Sequence, residues 1–201
     1  MLAIFNKESY ISLCKTKQKG EITLNSLKQL KKIVIDNSTT NDWASARNEW
    51  EVIPGVREDQ DVNTTCICSH PNLRYIYAIR NTKNGNILTP IGDICIHQFD
   101  SNTMTNDASN YLALYKLCQA ADANENITLS TKYFSRKLLL YLYDNNAFQP
   151  SKFNSYNPWN DYNFMLHMFN KRSPLSPAQK KKVSVLIKYN IIPCARYILN
   201  P

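Results

Sequence analysis

Three cysteines and two histidines form two clusters whose residue types suit a metal ion. Cys66, Cys68 and His70 follow one another at two-residue steps, and Cys95 and His97 form a second pair farther along the chain. Thiolates and imidazoles are the ligands that Zn²⁺ prefers, and a structural site needs four of them in a tetrahedron. The pattern predicts a structural zinc ion held by Cys66, Cys68, His70 and Cys95.

The fourth ligand has an alternative, which is His97. It lies two residues after Cys95, and on an α-helix that step turns the side chain by about 200°. Both residues could bind one ion only if the stretch is not helical, so His70 is the preferred ligand. The alternative to a metal site is a set of three reduced, buried cysteines, because free cysteine behaves as a small apolar residue.

A β-hairpin is the element that must bring the two clusters together. Residues 73–79 alternate as a strand does, Asn84-Gly85 marks a tight turn, and residues 87–91 form the return strand. Pro90 indicates that the return strand lies at a sheet edge or ends there, because proline cannot donate to a ladder. A short helix capped by Asp93 would follow. The order of knuckle, hairpin and helix is typical of a treble-clef zinc module.

Helices are predicted on both sides of this module. The fold class is therefore α+β, mostly α-helical, with one small treble-clef-like β-hairpin zinc module. We expect three parts: N-terminal helices at 1–50, the zinc-binding hairpin module at 51–101, and a basic helical bundle at 102–201. The predicted helix starts are, in chain order, Asn6, Asn25, residue 41, Asn106 or Asp107, Ser130 or Thr131, Asn157, Ser176 and Pro193.

The metal module also resembles a known pattern. Cys66, Cys68 and His70, followed by Pro90-Ile91-Gly92, Cys95-Ile96 and Phe99, match C-x-C-G-H, a hairpin and P-I-G-x-x-C-I-x-x-F. This pattern recurs in small zinc-binding-like proteins of low-GC Gram-positive bacteria, their phages and mobile elements. Ser69 departs from it, because glycine is usual there. The resemblance implies a zinc site and a phage or mobile-element origin, and it implies no reaction.

Positive charge is concentrated at the C-terminal end. The chain carries +8 in total, and residues 102–201 contain twelve Lys and Arg against five acids. Basic side chains neutralise phosphates, which is the sequence-independent part of nucleic-acid affinity. The predicted nucleic-acid-binding residues are Lys171, Arg172, Lys180, Lys181, Lys182, Lys188 and Arg196. The alternative is a solvated helix face.

The predicted function is that of a non-enzymatic, zinc-stabilised binding protein that engages nucleic acid or a nucleoprotein complex. The alternative is an anti-defence, anti-CRISPR-like inhibitor that contacts a host enzyme through the acidic part of the chain, in particular Glu49, Glu51, Glu58, Asp59 and Asp61. A third possibility is a metal-dependent nuclease in which Asp93 or His97 holds the ion.

Enzymes that hold a phosphate in a glycine-rich loop are excluded, because the four glycines form neither a G-x-G-x-x-G nor a G-K-S/T loop. We therefore expect no enzyme activity and no small-molecule substrate. The chain contains no apolar run of about 18 residues and begins with too short an apolar stretch for a signal peptide. We expect a cytoplasmic protein with no membrane partner.

Overall fold

The structure is a computed structural model, and it describes residues 22–200. The helix predicted from Asn6 lies outside this range. In chain order the helices and strands are α1 Leu24–Asp36, α2 Trp43–Ala46, β1 Trp50–Val52, β2 Arg57–Glu58, β3 Tyr75–Asn81, β4 Ile87–Ile91, α3 Asp93–His97, α4 Asn102–Asp122, α5 Arg136–Asp144, α6 Pro158–Asn170, α7 Pro177–Leu186 and α8 Ile192–Leu199. The α+β, mostly helical fold class is confirmed.

Strand β3 is the centre of the small sheet, and β1, β2 and β4 all pair with it in antiparallel orientation. In the described part of the chain β4 pairs with β3 alone, which agrees with the edge position predicted from Pro90. The turn between β3 and β4 is closed by a hydrogen bond from the Asn81 N–H to the Asn86 carbonyl, 2.8 Å long. Gly85 in that turn has a φ of +80°, which favours glycine.

Side-chain caps set where the long helices begin. Asn157 and Ser176 cap α6 and α7 as predicted, each accepting a hydrogen bond from a backbone N–H of the first turn. Three other starts were predicted wrongly: α1 is capped by Thr23, α4 by Ser101 and α5 by Ser135. The prediction for residues 41–50 is also wrong at its end, where a 3₁₀ turn at Arg47–Glu49 leads into β1.

Two tryptophans connect the N-terminal segment to the rest of the core. The Trp43 ring lies 5.4 Å from the ring of Phe99, centroid to centroid. Trp50 is buried, and its indole N–H donates a 2.9 Å hydrogen bond to the Ser38 hydroxyl. One hydrophobic cluster contains Leu30 of α1 together with residues of β3 and α5. The described residues of the three predicted parts therefore share one core, and the boundaries of the parts stay predictions.

The C-terminal helices pack against one another, and α4 also contacts β1. Helix α4 packs against α8, and α5 packs against α6. Helices α7 and α8 are continuous, because a π-helical turn at Ile187–Ile191 joins them. Pro193, predicted to begin a last turn, lies in the first turn of α8. Between residues 22 and 200, no helix combines the length and the apolar character that crossing a membrane requires.

Candidate metal centre and basic surface

A tight knuckle presents the first two cysteines. The Cys66 N–H donates to the His70 carbonyl, and the Ser69 N–H donates to the Cys66 carbonyl, each at 2.8 Å. Ser69 adopts a φ of +66° in this knuckle. A positive φ favours glycine, so Ser69 adopts a backbone conformation that residues with a side chain rarely adopt.

Helix α3 presents the third cysteine from the other side. Gly92 is its N-cap residue, and the Cys95 N–H donates to the Gly92 carbonyl at 3.1 Å. Asp93, predicted as the cap, is instead the first residue of the helix. The Ile67 N–H donates to the Pro90 carbonyl at 2.9 Å and so holds the knuckle against the end of β4. The hairpin therefore brings the knuckle and α3 together, as the sequence predicts.

The three sulfurs form a compact, buried cluster. The Cys95 sulfur lies 3.6 Å from that of Cys66 and 3.3 Å from that of Cys68, and all three lie within 4.8 Å of one another. A disulfide would need about 2.05 Å, whereas thiolates around a tetrahedral zinc ion lie about 3.8 Å apart for a Zn–S length of about 2.3 Å. The cluster is close enough to hold a metal ion, and its spacing fits metal ligation better than a disulfide.

Proximity shifts the acidity of the thiols in opposite directions. The hydrogen bond between Cys66 and Cys95 lowers the pKa of Cys66 to about 5, against the opposing effect of burial. The same hydrogen bond, together with burial, raises the pKa of Cys95. Burial also raises the pKa of Cys68. The cluster therefore stabilises one thiolate readily, and a cation would be needed to stabilise more than one in so small a volume.

The histidines stand outside the sulfur cluster. Within the described range, the group of close ligand atoms consists of the three sulfurs and includes no imidazole nitrogen. His70 is exposed, and it lines a cleft of about 30 Å³ with all three cysteines. His97 is also exposed, at the end of α3, and is not part of that lining. The position of His70 favours it over His97 as the fourth ligand.

The predicted basic residues divide into two groups. Lys182 lies 2.7 Å from the buried Asp161 carboxylate, Arg196 pairs with Asp122, and the Lys171 ammonium donates to Gln179. The remaining four are exposed, and none forms an ion pair with another residue of the 22–200 range: Arg172, Lys180, Lys181 and Lys188. Three of these four lie on or next to α7.

Most of the acidic residues considered for an inhibitor surface already have hydrogen-bond or ion-pair partners within the chain. Glu49 is buried and accepts hydrogen bonds from Thr39, Thr40 and Asn81. The other pairings are Glu51 with Arg80, Glu58 with Arg74, and Asp59 with Asn63 and Thr64. Only Asp61 of the five has a carboxylate without such a contact in the described structure. This leaves little free acidic surface for a basic partner.

The two residues considered for a nuclease do not form a metal cluster. Asp93 is exposed, and its carboxylate accepts a hydrogen bond from the Ile94 N–H at 2.9 Å. Neither Asp93 nor His97 belongs to a group of three or more close ligand atoms among residues 22–200. The nuclease hypothesis receives no support from these positions.

A cleft beside the π-helical turn was not predicted from the sequence. It has a volume of about 380 Å³, and its lining includes Tyr189, Asn190, Cys194 and Tyr197. Pro193, within an otherwise helical pattern, is the one sequence signal that could have indicated a disturbed helix here. Comparisons with protein-family models, with curated proteins and with solved structures found no match for the chain.

Proposed function

We propose that this chain is a zinc-stabilised protein that binds nucleic acid. The observation that carries the proposal is the exposed cationic surface of α7 and the following turn, formed by Lys180, Lys181 and Lys188. Their ammonium groups make no ion pair within the described chain, so they are available to phosphates. We call these three lysines the α7 cationic surface.

The spacing of these lysines suits a polyanion. Lys181 and Lys188 are seven residues apart, which is two helical turns and about 10 Å along the axis. The two side chains would therefore contact different phosphates of one strand. Lys182, between them in sequence, is held by Asp161 and contributes to stability rather than to binding. Phosphate contacts of this kind give affinity without base specificity.

Zinc is the metal that the ligand set favours in this proposal. Three thiolates and one imidazole are a common structural zinc set, and the burial of the sulfurs suits a structural site. Cys66, Cys68 and Cys95 would bind directly, and His70 would turn its exposed side chain toward them. The ion would lock the knuckle to α3 and so fix the end of the β3–β4 hairpin, because the free energy of metal binding contributes to folding.

Titration of fluorescently labelled DNA and RNA at low and moderate salt tests this function. We expect binding that weakens steeply with salt, and the variant Lys181→Ala with Lys188→Ala should weaken it further and lower the salt slope by about 2. The matched control is Lys28→Ala with Lys83→Ala, which removes two exposed lysines elsewhere. Absence of binding by the unmodified protein at low salt would overturn the proposal.

Two other outcomes separate the remaining alternatives. Incubation with plasmid and Mg²⁺ or Mn²⁺ should leave the DNA intact, because neither Asp93 nor His97 belongs to a cluster of metal-ligating atoms among residues 22–200. Cleavage that is lost on substitution of Asp93 or His97 would establish a nuclease instead. An inhibitor that contacts a host enzyme would retain its partner in the α7 double variant. It would lose that partner on charge reversal at Asp61.

A further inference from the structure

The junction between α7 and α8 has an unusual backbone. The Ile192 N–H donates to the Ile187 carbonyl, five residues back, as in a π-helix. Proline has no N–H and its ring clashes with the carbonyl four residues earlier, so Pro193 cannot continue an α-helical pattern from Tyr189. Single π turns inside helices occur frequently at functional sites. The surface formed by this π-helical turn is therefore a candidate binding site.

This turn is one wall of the cleft beside α5. The opposite wall comes from the segment after α5, with Asn145, Asn146 and Gln149. The volume of about 380 Å³ lies within the range of small organic ligand sites, about 300–1,000 Å³. The cleft is thus large enough for a flat organic group, which would lie between the π-helical turn and the segment after α5.

Two tyrosines stand exposed at this cleft. Tyr189 is 65% exposed and Tyr197 is 73% exposed, although large aromatic side chains usually bury more of their surface. Both belong to the lining of the cleft. Aromatic rings available in this way are the platforms on which unpaired bases stack.

Side-chain amides supply hydrogen bonds in the same cleft. The amide nitrogens of Asn145 and Gln149 donate to the carbonyls of Tyr141 and Asn146, which leaves their oxygens as acceptors. In the part of the chain that the structure describes, no side-chain hydrogen bond is made by the amides of Asn146 and Asn190. A free amide offers a donor and an acceptor side by side, which is the pattern that reads a base edge.

The α7 cationic surface leads directly to this cleft. Lys188 precedes Tyr189, and its ammonium lies 5.3 Å from the centre of the Tyr189 ring. A strand whose phosphates contact Lys181 and Lys188 would have its next base beside Tyr189. Bases in a duplex are stacked and paired, so only an unpaired base could enter.

We infer that the cleft between the π-helical turn and the segment after α5 binds an unpaired base of a single-stranded nucleic acid. The base stacks on Tyr189 or Tyr197, and the amides of Asn146 and Asn190 contact its edge. Lys188 contacts the adjoining phosphate. This inference rests on the proposed nucleic-acid binding and adds a preference for single strands.

The test compares a single-stranded oligonucleotide with its duplex, as DNA and as RNA, on the full chain. Tyr189→Ala and Tyr197→Ala together should weaken single-strand binding about 5- to 150-fold, the range for a lost base-stacking contact. Tyr189→Phe with Tyr197→Phe should keep the affinity, because the rings remain. Phe153→Ala removes an exposed aromatic outside the cleft and should change nothing.

The outcomes distinguish this inference from the proposed function. If the alanine pair binds single strands as the unmodified protein does, or if duplex binds equally well, the cleft does not take a base. Dependence on Lys181 and Lys188 would then still support the proposed function. If the unmodified protein binds neither single strand nor duplex, both proposals are overturned. A difference between the DNA and RNA arms identifies which polymer the cleft prefers.

Discussion

The sulfurs of Cys66 and Cys95 lie 3.6 Å apart although 29 positions separate them in the chain. The hairpin of β3 and β4 lies between them, so this contact closes a loop that contains half of the sheet. The backbone hydrogen bond from Ile67 to Pro90 holds the same two segments together. A metal ion at this point would therefore fix the sheet relative to α3.

The two histidines near the cluster should behave differently on substitution. We expect His70→Ala to weaken zinc binding by at least about tenfold, since loss of an outer-shell partner alone costs 10–100-fold. His97→Ala should leave the affinity unchanged and serves as the matched control, because both side chains are exposed. Competition for zinc with a chromophoric chelator measures the zinc affinity of each variant. If His97→Ala weakens zinc binding and His70→Ala does not, His97 is the fourth ligand. If neither substitution changes the affinity, neither histidine is a ligand.

The buried Glu49 should make stability depend on acid pH. Burial alone would raise the pKa of this carboxyl, but hydrogen bonds from Thr39, Asn81 and Thr40 outweigh it and lower the pKa from 4.5 to about 2. The folded pKa lies below the unfolded one, so this stabilisation is complete above about pH 5 and is lost as pH falls toward 2. The urea concentration at the unfolding midpoint should therefore decrease as the pH is lowered from about 5 to 2.

A substitution isolates the contribution of Glu49 to that pH dependence. Glu49→Gln should lower the urea midpoint at neutral pH, because the new amide N–H₂ faces donors, and it should flatten the fall below pH 5. The control is Glu51→Gln, which removes an exposed ion pair with Arg80. It should leave the dependence of the urea midpoint on pH unchanged. An unchanged slope in Glu49→Gln would assign the acid sensitivity to other carboxyls.

Neighbouring lysines on α7 should have separate roles. Lys182→Ala leaves the buried Asp161 carboxylate without its cation, and we expect a loss of about 1–2 kcal/mol, discounted because the lysine is partly exposed. Lys181→Ala should change the free energy of unfolding by less than about 0.5 kcal/mol and weaken nucleic-acid binding instead. Urea denaturation and oligonucleotide titration of both variants provide the measurement. Equal effects of the two would contradict this division.

The hairpin turn and the knuckle could be predicted because their signals are local, and the hairpin in turn indicated that Cys95 returns to the knuckle. Asn84-Gly85 determines a tight turn by its backbone preferences, and cysteines at two-residue steps indicate a knuckle. The caps Asn157 and Ser176 could be predicted for a similar reason, since proline follows each of them.

Features that depend on distant partners could not be read from the sequence. Trp50 continues a helical pattern, but pairing with Asn81 draws it into a strand. Lys182 looks like its neighbours until the fold places Asp161 beside it. Ser101 and Ser135 compete as caps with many other Ser, Thr and Asn residues nearby, so packing decides which of them begins a helix.

Metal content measured by mass spectrometry on purified protein tests the central claim most directly. We predict one zinc ion per chain in the unmodified protein and in Cys194→Ser, whose thiol lies outside the cluster. Cys68→Ser and Cys95→Ser should lose the ion and unfold at lower urea concentration, because metal binding free energy contributes to folding. A metal-free unmodified protein, or equal zinc content in all four, would contradict a zinc site at Cys66, Cys68 and Cys95.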